Sequence, residues 1–172
     1  MAQTSTDLAV RRRARPHATA SAASGITVLC HVNFTRSRAA ALPKGASSVT
    51  YFGGIGCPRT MLLFGQAFLL QNASTYLGFG NHVEGFQQSY ASGQKNKYVS
   101  PGANSSRRSL YIRHLTNVYF PNPLMTGVIT IQPSAGTPFD AAASKCALGP
   151  PHTVAGVTYK AGLHCDFYST RF

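Results

Sequence analysis

The chain has 172 residues, a length that suits one domain able to bury a core without help from a metal. Its near-average aliphatic and aromatic content excludes a wholly disordered chain, and no apolar run approaches the roughly 20 residues that a membrane-spanning helix needs. Sixteen Lys and Arg stand against four acids, a formal net charge of +12, so most of the positive charge has to face solvent or an anionic partner.

Residues 1–24 differ from the rest. Arg11-Arg12-Arg13-Ala14-Arg15-Pro16 is followed by an Ala/Ser/Thr-rich run to Ser24, with no apolar periodicity. The stretch is expected to be a flexible basic arm or an incomplete signal segment, since it lacks the apolar centre of a secretory signal. The charge does not reside only there. Residues 26–172 carry 12 Lys and Arg against three acids, a formal +9.

From residue 25 the pattern becomes that of strands. Ile26, Val28, Cys30, Val32 and Phe34 alternate with Thr27, Leu29, His31 and Asn33. Further strands are expected at 47–52, 61–70, 74–79, 109–120 and 124–132, which are rich in Val, Ile, Tyr, Phe and Thr and bounded by Gly, Pro, Asn and Ser. Residues 91–108, rich in Gly, Ser, Asn and Lys, read as a long exposed loop. The cleanest alternation is the last: Val157, Tyr159, Ala161, Leu163, Cys165 and Phe167 on one face, Thr158, Lys160, Gly162, His164, Asp166 and Tyr168 on the other. No segment sustains a helical period. The expected fold is all-β: an antiparallel β-sandwich of immunoglobulin-like or jelly-roll type over residues 25–172.

The four cysteines, Cys30, Cys57, Cys146 and Cys165, form no C-x-x-C pair and have no zinc-ligand spacing. Cys30 and Cys165 lie on the apolar faces of their strands. Pairing of neighbouring stretches favours Cys30–Cys57 and Cys146–Cys165, which implies an oxidising compartment.

The opening strand with Cys30, the run Tyr51-Phe52-Gly53-Gly54-Ile55-Gly56-Cys57-Pro58, the apolar strand to Leu70 and the late pair Cys146 and Cys165 resemble small secreted β-rich two-disulfide proteins of actinobacteria. The resemblance spans roughly residues 26–170. It implies export and a β-sandwich, and it implies no activity.

Enzyme signatures are missing. There is no G-x-S-x-G, P-loop or H-E-x-x-H, and Gly54-Ile55-Gly56 and Gly78-Phe79-Gly80 are fragments that suit turns. Glu84, Asp140 and Asp166 are distant in sequence, which disfavours a carboxylate pair. His31 and His164, with Asp166 nearby, would pair only if the first and last strands were neighbours. No catalytic residue, metal site or cofactor is expected.

The basic and aromatic residues carry the functional expectation. Arg107, Arg108, Tyr111, Arg113 and Tyr119 cluster in one segment after Lys95, Lys97 and Tyr98, and Tyr111 and Arg113 share a strand face. Arg and Tyr together grip phosphates and stack on bases or sugars. Together with Arg11, Arg12, Arg13 and Arg15 they form the expected polyanion contact, to nucleic acid or to a cell-wall or glycan polymer. The first reading is therefore a secreted or envelope-associated, non-enzymatic β domain with a binding or structural role. The alternative is a small viral jelly-roll capsid protein whose arginine-rich arm neutralises packaged nucleic acid.

Overall fold

The structure is a computed structural model that describes residues 18–21, 25–38, 47–71, 75–99 and 110–172. All regular structure among them is strand. In chain order the strands are β1 (Ala18–Ser21), β2 (Ile26–Arg38), β3 (Ser47–Gln71), β4 (Thr75–Phe79), β5 (Val83–Val99), β6 (Leu110–Tyr119), β7 (Gly127–Pro133), β8 (Lys145–Leu148), β9 (His152–Val154), β10 (Val157–Tyr159) and β11 (Gly162–Tyr168). Nine of them form one mixed sheet that curls into a half-barrel, in the order β1-β7-β2-β3-β6-β11-β8, with β4 and β5 also paired to β3. All pairs are antiparallel except β2–β7. β9 and β10 form a separate hairpin.

The 25-residue β3 organises the sheet. Gly53 pairs with Phe34 of β2 and Ser92 of β5, whereas Phe64 pairs with Asn117 of β6 and Glu84 of β5. β2 and β6 thus follow one another along one edge of β3, while β5 runs along the other. Between these halves the β3–β5 register shifts: five steps of β3, from Gly56 to Met61, oppose two steps of β5. The extra residues form a bulge that contains Pro58, which has no N–H to give to a ladder. Such a bulge bends a strand, and β3 does fold back on itself. A Cβ on Gly53 would lie 3.0 Å from the Cβ of Ala67, although 14 residues of straight strand span about 45 Å.

The core fills the space between the facing halves. Val28, Cys30, Val32 and Phe34 of β2, Val49, Tyr51 and Ile55 of the first half of β3, and Met61, Leu63, Ala67 and Leu69 of the second half are buried. Ile112 and Val118 of β6, Ile129 and Ile131 of β7, and Leu163, Cys165 and Phe167 of β11 complete it. The alternation expected for 28–34 and 163–167 is therefore the alternation between core and outside, whereas Ile26 at the start of β2 is exposed.

Three expectations change. Residues 91–99 belong to β5 and pair with 47–54 of β3, an edge position that tolerates a composition of Gly, Ser, Gln and Lys. The single strand expected over 157–168 is broken at Lys160 and Ala161. β10 turns back on β9 through Ala155 (φ 49°) and Gly156 (φ 79°), the two left-handed residues of a tight hairpin turn, and only β11 joins the sheet. Residues 18–21, within the stretch read as a flexible arm, form β1 against β7.

Both expected disulfides are present, Cys30–Cys57 and Cys146–Cys165. The first extends the β2–β3 ladder one step beyond His31↔Gly56 and so clamps β2 at the bend of β3. The second joins directly paired residues of β11 and the four-residue edge strand β8. Closing a loop over a sequence separation of 19 removes unfolded-state entropy worth about 3 kcal/mol in the chain-entropy description. Replacing Cys146 and Cys165 together by Ser is expected to lower unfolding free energy by about that amount in urea titrations. A change under about 0.5 kcal/mol would show that the bridge does not constrain the unfolded chain.

Candidate binding surface

On β6, alternate residues point to opposite sides. Leu110, Ile112, His114, Thr116 and Val118 face the core, whereas Tyr111 and Arg113 share the outer face, as the period of two predicts. β11 supplies Asp166 and Tyr168 beside them, because Asp166 pairs with Leu115 and Tyr168 with Arg113. The Arg113 guanidinium grips the Asp166 carboxylate with two bonds, Nε to Oδ1 and Nη2 to Oδ2, each 2.9 Å. Its Nη1 donates to the Tyr76 hydroxyl of β4 at 2.8 Å. The Tyr168 hydroxyl donates to Asp166 Oδ2 at 3.3 Å. Hydrogen bonding to Asp166 holds the Arg113 pKa above its ordinary value.

Aromatic rings extend this cluster. The Tyr76 and Phe79 rings stack with centroids 5.5 Å apart and planes inclined by 14°. Phe68 supports both edge-on, at 5.4 and 5.6 Å. Tyr76 is 42 % and Phe79 58 % exposed. On the other side of Arg113, the rings of Tyr111 and Tyr168 are 5.9 Å apart, and the Arg171 guanidinium lies 4.7 Å from the Tyr111 ring centroid. The result is one connected cluster of aromatics and arginines across β4, β3, β6 and β11, in which Tyr111 is itself buried and Tyr76 and Phe79 are the exposed rings.

The predicted site residues fare differently. Tyr111 and Arg113 do come together. Arg113 is committed to Asp166, so it acts as a strut of this face and brings little net charge to it. Tyr119 leaves the cluster: it is buried beneath β9, stacks on Phe64 at 6.0 Å and donates its hydroxyl proton to the Pro150 carbonyl. Arg11, Arg12, Arg13, Arg15, Arg107 and Arg108 lie outside the described residues, as do the side chains of Lys95, Lys97 and Tyr98. Tyr76, Phe79 and Phe68 are not among the expected site residues, and Asp166 enters the expectations only as a neighbour of His31 and His164. Tyr76 and Phe79 lie three residues apart, which strand parity puts on opposite faces; the register shift of β4 against β3 between Leu69 and Leu70 brings them together, and neither this nor the pairing of β11 with β6 is readable in the sequence.

The histidines serve elsewhere. β2 and β11 are separated by β3 and β6, so His31 and His164 do not meet. His31 bonds Gln132, and His164 bonds Asn117. His152 stacks on Phe64 at 4.4 Å and bonds Glu84 at 2.8 Å. His114 is fully buried, and burial pushes its pKa down to about 3. Its Nε2 shares a hydrogen bond with the Tyr90 hydroxyl, while its Nδ1 has no partner. A 550 Å³ groove above Gly54 and Gly56, lined also by His31, Asn33, Ser89 and Ser134, is open and carries no charged side chain.

The acids complete the electrostatic account. Among the described residues, Asp166 bonds Arg113, Glu84 faces His82 and His152, and Asp140 caps a turn by accepting from the Ala142 and Ala143 amides. Of these three acids, Asp166 is thus the one paired with an arginine. No protein family, curated protein or solved structure matches the chain.

Proposed function

We propose that this chain is an extracellular or envelope-associated, non-enzymatic β domain that binds anionic polymers. The observation that carries the reading is the charge balance. A formal +12 is opposed by four acids, and those of the described residues are already engaged, only one of them with an arginine. Such a chain attracts polyanions through release of their condensed counterions. The two disulfides support an oxidising location. The facing halves of β3 support a sandwich-type scaffold of immunoglobulin or jelly-roll character.

The test is binding of the full chain to a heparin oligosaccharide and to a single-stranded oligonucleotide across a salt series. Affinity is expected to fall steeply, with the logarithm of the binding constant linear in the logarithm of salt concentration. Absence of binding to either polymer at low salt would overturn the reading.

A further inference from the structure

We propose that the Tyr76–Phe79 face is a stacking platform for the bases of single-stranded nucleic acid. The inference rests on the polyanion reading and narrows it to one polymer class. Base–aromatic stacking needs a flat ring that is exposed and held in place, because a ring that must first be ordered gives back much of the gain. Both conditions are met. Tyr76 and Phe79 are 42 % and 58 % exposed and stack on one another with their planes nearly parallel, at 14°. Phe68 fixes the two rings from below. The Tyr76 hydroxyl accepts from Arg113, which Asp166 in turn anchors. The platform is therefore tied through two strands to the interior of the sheet.

Charge complementarity selects the occupant. A second copy of the chain would bring another formal +12 to the same place, and like charges oppose that contact. A sulfated glycan matches the charge but offers puckered, sulfate-bearing sugar rings in place of flat aromatic faces. Duplex DNA matches the charge but hides its base faces. A single strand offers both, with unpaired bases for Tyr76 and Phe79 and phosphates for the net positive charge of the chain. Arg113, already paired with Asp166, fixes Tyr76 in this arrangement and is not itself the phosphate ligand.

The experiment compares the full chain with its Phe79→Ala and Phe79→Tyr variants, using a labelled oligothymidylate and a heparin oligosaccharide as probes. Phe79 is mostly exposed, so the alanine variant is expected to fold, and circular dichroism checks this. Phe79→Ala is expected to weaken oligothymidylate binding roughly tenfold, with the salt slope unchanged because no charge is removed. Phe79→Tyr is expected to restore it, and heparin binding is expected to stay within twofold. If wild type binds both polymers and Phe79→Ala changes neither, the platform is wrong and the polyanion reading stands. Equal loss of both also overturns base stacking. If wild type binds neither, both inferences fall together.

Discussion

Gly65→Ala is expected to destabilise the protein by about 3 kcal/mol or more, while Gly56→Ala in the same strand changes stability by less than about 0.5 kcal/mol. The two substitutions are chemically identical. A Cβ on Gly65 would overlap the Leu115 carbonyl oxygen and the Tyr90 hydroxyl and lie 3.0 Å from the Thr116 Cα. Two of these are backbone atoms of β6, which pairs with β3 at Gly65↔Thr116. They can retreat only by opening that ladder. The third would push Tyr90 away from His114. A Cβ on Gly56 meets only the Ser89 Cβ, at 3.8 Å, an ordinary contact. Its loss of unfolded-chain freedom offsets any small crowding. Urea unfolding of the two variants decides the matter. Equal costs would mean that the interior at Gly65 yields, and that β3 and β6 are less closely packed than described.

The same glycine shows where sequence reading stopped. Its strand was legible, since 61–70 is apolar and bounded by turn residues. The reason for a glycine inside it was not, because that lies in Tyr90, 25 positions along the chain. The fragment Gly54-Ile55-Gly56 suits a turn, and the shift between Gly56 and Met61 that follows it is a bulge. That β3 continues through it and folds onto itself depends on tertiary contacts such as Gly53 with Ala67. β5 was missed whole: 83–90 stood in no expected strand, and over 91–99 an edge strand of Gly, Ser, Gln and Lys has the composition of a loop. At the candidate surface, period two placed Tyr111 with Arg113, and Asp166 with Tyr168. It could not show that β6 and β11 lie side by side, and so it left Arg113 as a free cation. Disulfide pairing was accessible because the cysteines near in sequence also lie on neighbouring strands.

Lowering the pH from 7 to 4 is expected to cost the protein about 3 kcal/mol of stability through His114 alone. In the folded chain its imidazole is fully buried at the centre of β6, with Gly53 packed against the ring and Phe34 edge-on at 6.3 Å. Burial disfavours the charged form and takes the pKa from 6.5 down to about 3. Unfolded, the group returns to its ordinary value. Between those limits the unfolded chain binds a proton that the folded chain does not, so stability rises with pH across this window. The contribution is complete above about pH 6.5 and is lost progressively as pH falls toward about 3. The partner atoms suggest a clean control. Replacing His114 by Leu and Tyr90 by Phe removes both ends of the buried hydrogen bond, which avoids leaving either one unsatisfied. Urea titrations of wild type and this double variant at pH 7, 6, 5 and 4 should give curves that diverge as the acid increases. The wild type should lose about 3 kcal/mol more than the variant by pH 4. Parallel curves would place the acid sensitivity in other groups and would mean that the folded interior admits a protonated imidazole.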